Sequence, residues 1–170
     1  MKIRKFLISL VLTAFTVTAL ASRANAPLSE SNFVAVYTAL QVLLAARQAI
    51  NVTTTLCEGL KTDRGIRTID KHLMAFSIAT GAWGVVEAFA DNNAKVIREH
   101  KDDIDEDYYE VSMEVIDSVR KLAKGIPPKD ADVDDILEAL SSADRKVNQL
   151  LKRLDRYNPS PSSRRSSRDL

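Results

Sequence analysis

One cysteine, two histidines, five glycines and five prolines are all that 170 residues hold of those types, and each scarcity excludes something. With Cys57 alone, no disulfide can close within the chain, so the fold must rest on its core. The thiol is then either buried as a small apolar side chain or bridges two chains. Turn-rich β architectures need Gly and Pro at their reversals, and here the few present fall mostly where helices would end. His72 and His100 stand 28 residues apart on one expected helix, roughly 40 Å at helical rise, too far to share a metal or a triad. No HExxH, GxSxG, glycine-rich phosphate loop or CxxC occurs, so the patterns that announce common catalytic chemistry are missing. The acidic residues are expected on solvated faces, where nothing tunes their pKa values for acid–base work. We therefore expect a non-enzyme with no catalytic residues, no metal and no cofactor.

Charge of one sign is lacking too. The formal net charge is +1, and without Lys2, Arg4 and Lys5 it becomes −2, which gives no electrostatic footprint for nucleic acid. Within that balance the charges are sorted. Residues 101–138 carry thirteen Asp and Glu against five Lys and Arg, while Arg164, Arg165 and Arg168 mark the C-terminal end.

The N-terminus reads as a sorting signal. Lys2, Arg4 and Lys5 precede the uncharged run Phe6–Leu20, and "ALA" (19–21) and "ANA" (24–26) follow as small-residue cleavage motifs. Pro27 would sit directly after the second, and a proline without an N–H suits an extended protease substrate poorly. The expected division is therefore a signal peptide at 1–21 (alternatively cleaved after 26), a helical domain at 22–157, and a disordered Ser/Arg tail at 158–170. The product would be secreted or periplasmic.

Four helices account for the domain. The first is expected from about Ser31, as N-cap, to Lys61, with the β-branched "NVTTT" (51–55) threatening to kink it. The second spans Thr68 to His100. The third starts in "KDDIDED" and stops at Gly125, and the fourth runs from Asp132 to Tyr157. Acidic residues crowd the first turns of the last two, as capping and the helix dipole favour. Ile136, Leu140, Ala143, Val147, Leu150, Leu154 and Tyr157 alternate by four and three, and Tyr108, Val115, Val119 and Leu122 repeat that seam. Short connections between long helices imply antiparallel neighbours, hence an all-α, up-down-up-down four-helix bundle. Helices three and four would form its charged half and helices one and two its hydrophobic half.

"DIDEDYYEVSME" (103–114) places Asp103, Asp105, Asp107 and Glu114 at calcium-loop spacing. Tyr108 stands where such a loop needs glycine for its sharp turn, so the acids read as a helix start. Asn51 opens an "NVT" sequon whose mid-helix position argues against use.

The informative excess lies in helices one and two. "HLMAFSIATGAWGVVEAFA" (72–90) is free of charge only from Leu73 to Val86, and helix one only from Phe33 to Ala46. Each run is about 21 Å of helix, short of a roughly 30 Å hydrocarbon layer, so no membrane span is expected in the mature chain. Yet both helices are apolar over well above half their circumference, more than a bundle helix buries. Something must cover the surplus. The expected function is binding of a protein partner, or self-dimerisation, through Phe33, Tyr37, Met74, Ile78 and Val85. The alternative is a carrier of lipid or another apolar ligand, with Phe76, Trp83 and Phe89 lining a groove inside the bundle. A third reading is a helical hairpin that opens and inserts into membrane.

Overall fold

Two of the four helices described start at short polar side chains that accept the first free N–H groups. In the computed structural model, which describes residues 29–157, Ser29 Oγ accepts the Asn32 N–H at 3.2 Å. The first cap is thus Ser29, and the expected Ser31 lies one residue inside the helix. The expected leader, its expected cleavage site and the Ser/Arg tail lie outside the described residues. Among those described, the protein is all-helical with four helices and no strand: α1 (Glu30–Thr62), α2 (Thr68–Glu99), α3 (Glu106–Lys124) and α4 (Val133–Leu154), with a 3-10 turn at Lys101–Asp103.

Asp132 caps α4 through a capping box. Its carboxylate accepts the N–H groups of Asp134 (2.8 Å) and Asp135 (2.9 Å), while Asp135 Oδ2 accepts the Asp132 N–H at 3.1 Å. The Asp135 backbone N–H, and then that of Asp134, hold the Asp132 carboxyl below the usual carboxylate range. Asp105, the cap of α3, is fixed differently. Asn32, buried in the first turn of α1, accepts the Asp105 N–H at 2.9 Å and donates to Asp105 Oδ2 at 2.6 Å. One polar pair therefore ties the starts of α1 and α3. At the other end of α1, Lys61 Nζ donates to Asp134 Oδ1 at 2.6 Å, and that carboxylate raises the lysine above its ordinary pKa.

α1 runs unbroken through "NVTTT". Thr53 turns into the core, fully buried, and Thr55 Oγ1 donates back to the Asn51 carbonyl at 2.9 Å. Burial against neighbouring helices outweighs the small β-branched penalty.

The seams of α3 and α4 pack as their periodicity implies. Ile136, Leu140, Ala143, Val147, Leu150 and Leu154 are buried, as are Val115, Ile116 and Val119, and Tyr108 meets Tyr157 edge-on with centroids 5.8 Å apart. The partners differ from expectation. α1 packs against all three other helices, α2 mainly against α1 and α3, and α3 touches α4 only sparsely. α3 and α4 are thus not one paired half. Alanines explain how α1 serves three neighbours: Ala35, Ala39 and Ala46 are fully enclosed and let adjacent backbones come close. Ion pairs line the α2–α3 seam, with Asp91–Arg120 at 3.1 Å, Glu87–Lys124 at 3.7 Å and Arg98–Asp117 at 3.9 Å.

Candidate interaction surface

α2 buries mostly alanine and displays several large apolar side chains. Its buried positions are Ala75, Ala79, Trp83, Val86, Ala90, Ala94 and Ile97, four alanines among seven. Exposed on the same helix are Ile69, Leu73, Met74, Phe76, Val85 and Val96, with Leu73 at 63%. α1 adds Phe33, Val34, Tyr37, Leu44 and Leu56, so every large apolar side chain that the described residues expose belongs to α1 or α2. α3 and α4 contribute none. Fully burying such a side chain is worth roughly 1.5–3 kcal/mol, so covering the bare halves of four would release about 3–6 kcal/mol. By length and composition alone both helices could also cross a membrane; 44% of the most apolar stretch of α1 is buried in the bundle and 28% of that of α2. α2 is the barer of the two.

A helical wheel sorts α2 into columns, each residue advancing about 100°. Ser77, Gly81, Gly84, Ala88 and Lys95 point straight away from the buried face, all exposed, with the half-buried Asp70 at the head of the column. A Cβ built on Gly81 or Gly84 meets nothing within 4 Å. Two glycines inside a long helix forfeit about 1 kcal/mol each relative to alanine, and nothing within the monomer requires them. Met74, Ile78, Val85 and Val96 flank this column on the side of α1, where Val34 and Val96 share a groove of about 270 Å³. Leu73 flanks it on the other, with Ile69 and Phe76 further round toward the buried face.

The sequence-derived residues divide accordingly. Phe33 and Tyr37 are exposed and stacked, centroids 5.8 Å apart and planes 14° from parallel. Met74 and Val85 are exposed, and Ile78 is half-buried. These five do not form one compact cluster. The start of α1 lies beside the end of α2 across the Val34–Val96 groove, and the end of α1 lies beside the start of α2, where Lys71 Nζ donates to the Lys61 carbonyl at 3.2 Å. Phe33 and Met74 therefore stand near opposite ends of the hairpin, and Val85 between them.

The three residues assigned to a ligand groove are likewise not brought together. Trp83 is fully enclosed, Phe76 is 39% exposed on the same side of α2, and half-buried Phe89 lies about 120° around the helix from Trp83. A second groove of about 270 Å³, between Val36 and Leu40 of α1 and Leu151 and Leu154 of α4, contains none of them either.

Sequence reasoning missed the glycine column as a feature of its own. Its signal was the 4-3-4 spacing of Ser77, Gly81, Gly84 and Ala88. Cys57 is free and buried on α1, and burial raises its pKa, which suppresses the thiolate; a bridge to another chain would require α1 to open. His72 Nδ1 accepts the Val133 N–H at 3.2 Å.

No protein-family model matches the chain, and no curated protein or solved structure matches it either. Function must be argued from the surface itself.

Proposed function

We propose that this chain is an exported, non-enzymatic four-helix bundle, up-down-up-down in order, that acts by binding a protein partner through the outer face of α1 and α2. The observation that carries the reading is the confinement of all exposed large apolar side chains, among the described residues, to those two helices. Helix order is supported by end-to-end contacts: Asn32–Asp105 joins the starts of α1 and α3, and His72–Val133 those of α2 and α4. Export rests on the charge and apolar pattern of residues 1–21. A protein, rather than a lipid held inside, fits the outward direction of Leu73, Met74 and Val85.

Native mass spectrometry tests this. We expect a protein complex, abolished in Met74→Lys and Ile78→Lys while circular dichroism stays unchanged. A monomer carrying small-molecule mass that is lost on denaturation would refute it in favour of the carrier.

A further inference from the structure

Which protein covers α2 is written in its charges. Glu87, Asp91 and Arg98 pair with α3, Lys71 reaches the end of α1, and His72 meets α4. The charges beside the outward column instead pair only locally: Arg67 with Asp70 at 2.7 Å before the apolar stretch, and Lys95 with Glu99 at 3.8 Å after it. Along the helix the order is plus, minus, apolar, plus, minus.

That order complements its own reversal. Laid antiparallel against a second copy and centred between Ala82 and Trp83, Asp70 faces the other copy's Lys95, and Arg67 stands one position from the level of its Glu99, beside an Arg98 that is turned to Asp117 of α3. Gly81 faces Gly84, and Ser77 faces Ala88. A parallel pairing would set Asp70 on Asp70 and Lys95 on Lys95. The 4-3-4 spacing of the small residues keeps two helices in contact along a shallow left-handed crossing. Ile78 and Val85 close the contact on one flank.

We propose that α2 is a homodimer interface: two copies of this chain pair antiparallel, glycine on glycine, with Asp70 and Lys95 meeting across each end. This rests on the reading of the α1–α2 face as protein-binding and names the partner. The contact strip, about 48 Å by about 10 Å, offers on the order of 500 Å² per copy, the lower end of what holds a specific dimer. Association in the micromolar range follows.

Sedimentation equilibrium of the mature protein from about 1 to about 200 µM spans that range. The wild type is expected to dimerise. Gly81→Leu/Gly84→Leu, whose new side chains have open space in the monomer, should stay helical and become monomeric. Asp70→Lys and Lys95→Asp should each self-associate at least about tenfold more weakly at low salt. Mixed together they should recover a one-to-one dimer, because each then offers the charges the other lacks. A wild type that stays monomeric to the highest concentration overturns the proposal, as does a dimer indifferent to the leucines or a mixture that fails to recover. The broader reading fails or survives separately: a monomer that still captures a different protein, and loses it in Met74→Lys, sinks the dimer and leaves the binding face standing.

Discussion

Replacing Gly81 and Gly84 with alanine should make the isolated monomer more stable, which is unusual for a change on a candidate binding face. Each added methyl points into open space, with no atom within 4 Å. What remains is helix propensity, about 1 kcal/mol per Gly→Ala in a helix interior, so the double variant gains about 2 kcal/mol. For a chain of this size that is a rise in Tm of about 6–10 °C. The assay is urea and thermal melting followed by far-ultraviolet circular dichroism at about 1 µM, below the micromolar self-association a small interface implies. Gly59→Ala is the control, because Gly59 is equally open but lies on α1. At high concentration the three should part company: Gly59→Ala keeps its gain, whereas the two α2 changes offset theirs by holding the partner helix away. A loss of stability in Gly81→Ala or Gly84→Ala at the low concentration would refute the reasoning, since it would mean that the column is already covered within one chain.

The core carries a second prediction. Trp83→Ala should cost about 3–5 kcal/mol, because the ring is fully enclosed; Trp83→Phe should cost about 1 kcal/mol or less, since it also removes an indole N–H that meets no acceptor in the protein. A small effect of Trp83→Ala in urea melts would instead mark the ring as lining open space. Asn32→Ala should cost about 1–3 kcal/mol by removing its two hydrogen bonds to the exposed Asp105, and hydrogen exchange should show the first turns of α1 and α3 loosening together; independent loosening would disprove the link. The Asp132 cap gives a pH dependence. Its folded pKa is depressed, so its contribution is complete above the ordinary carboxylate range and disappears as pH falls through the folded value. Thermal melts of wild type and Asp132→Asn should therefore differ at neutral pH and converge in acid, and a constant gap from pH 7 to pH 2 would contradict the assignment.

Helix positions were legible in this chain because local chemistry marks them. The seam from Ile136 to Leu154 is buried as its spacing implies, and Asp132 caps α4 where its acidic neighbours announce a first turn. What failed was whatever depends on a distant partner. Periodicity says which face of α3 or α4 is buried but not against what, and both pack chiefly elsewhere than on each other. "NVTTT" looked like a weak point because propensity is local, whereas the burial of Thr53 is tertiary. Nothing in the sequence around Asn32 marks it out. Its partner stands 73 positions away, and no local pattern encodes that. The surplus of apolar surface was visible from composition alone, but its split into a bare glycine column with large residues on both flanks needed the buried face of α2 to be located first.

The solitary thiol gives the molecule a built-in clock. Cys57 sits fully enclosed on α1, the helix that packs substantially against all three others, so a thiol reagent reaches it only when α1 has pulled free. With no second sulfhydryl to react in parallel, each modification event records one opening of the bundle. The labelling rate then reads, in living cells as in a cuvette, how often the protein comes apart.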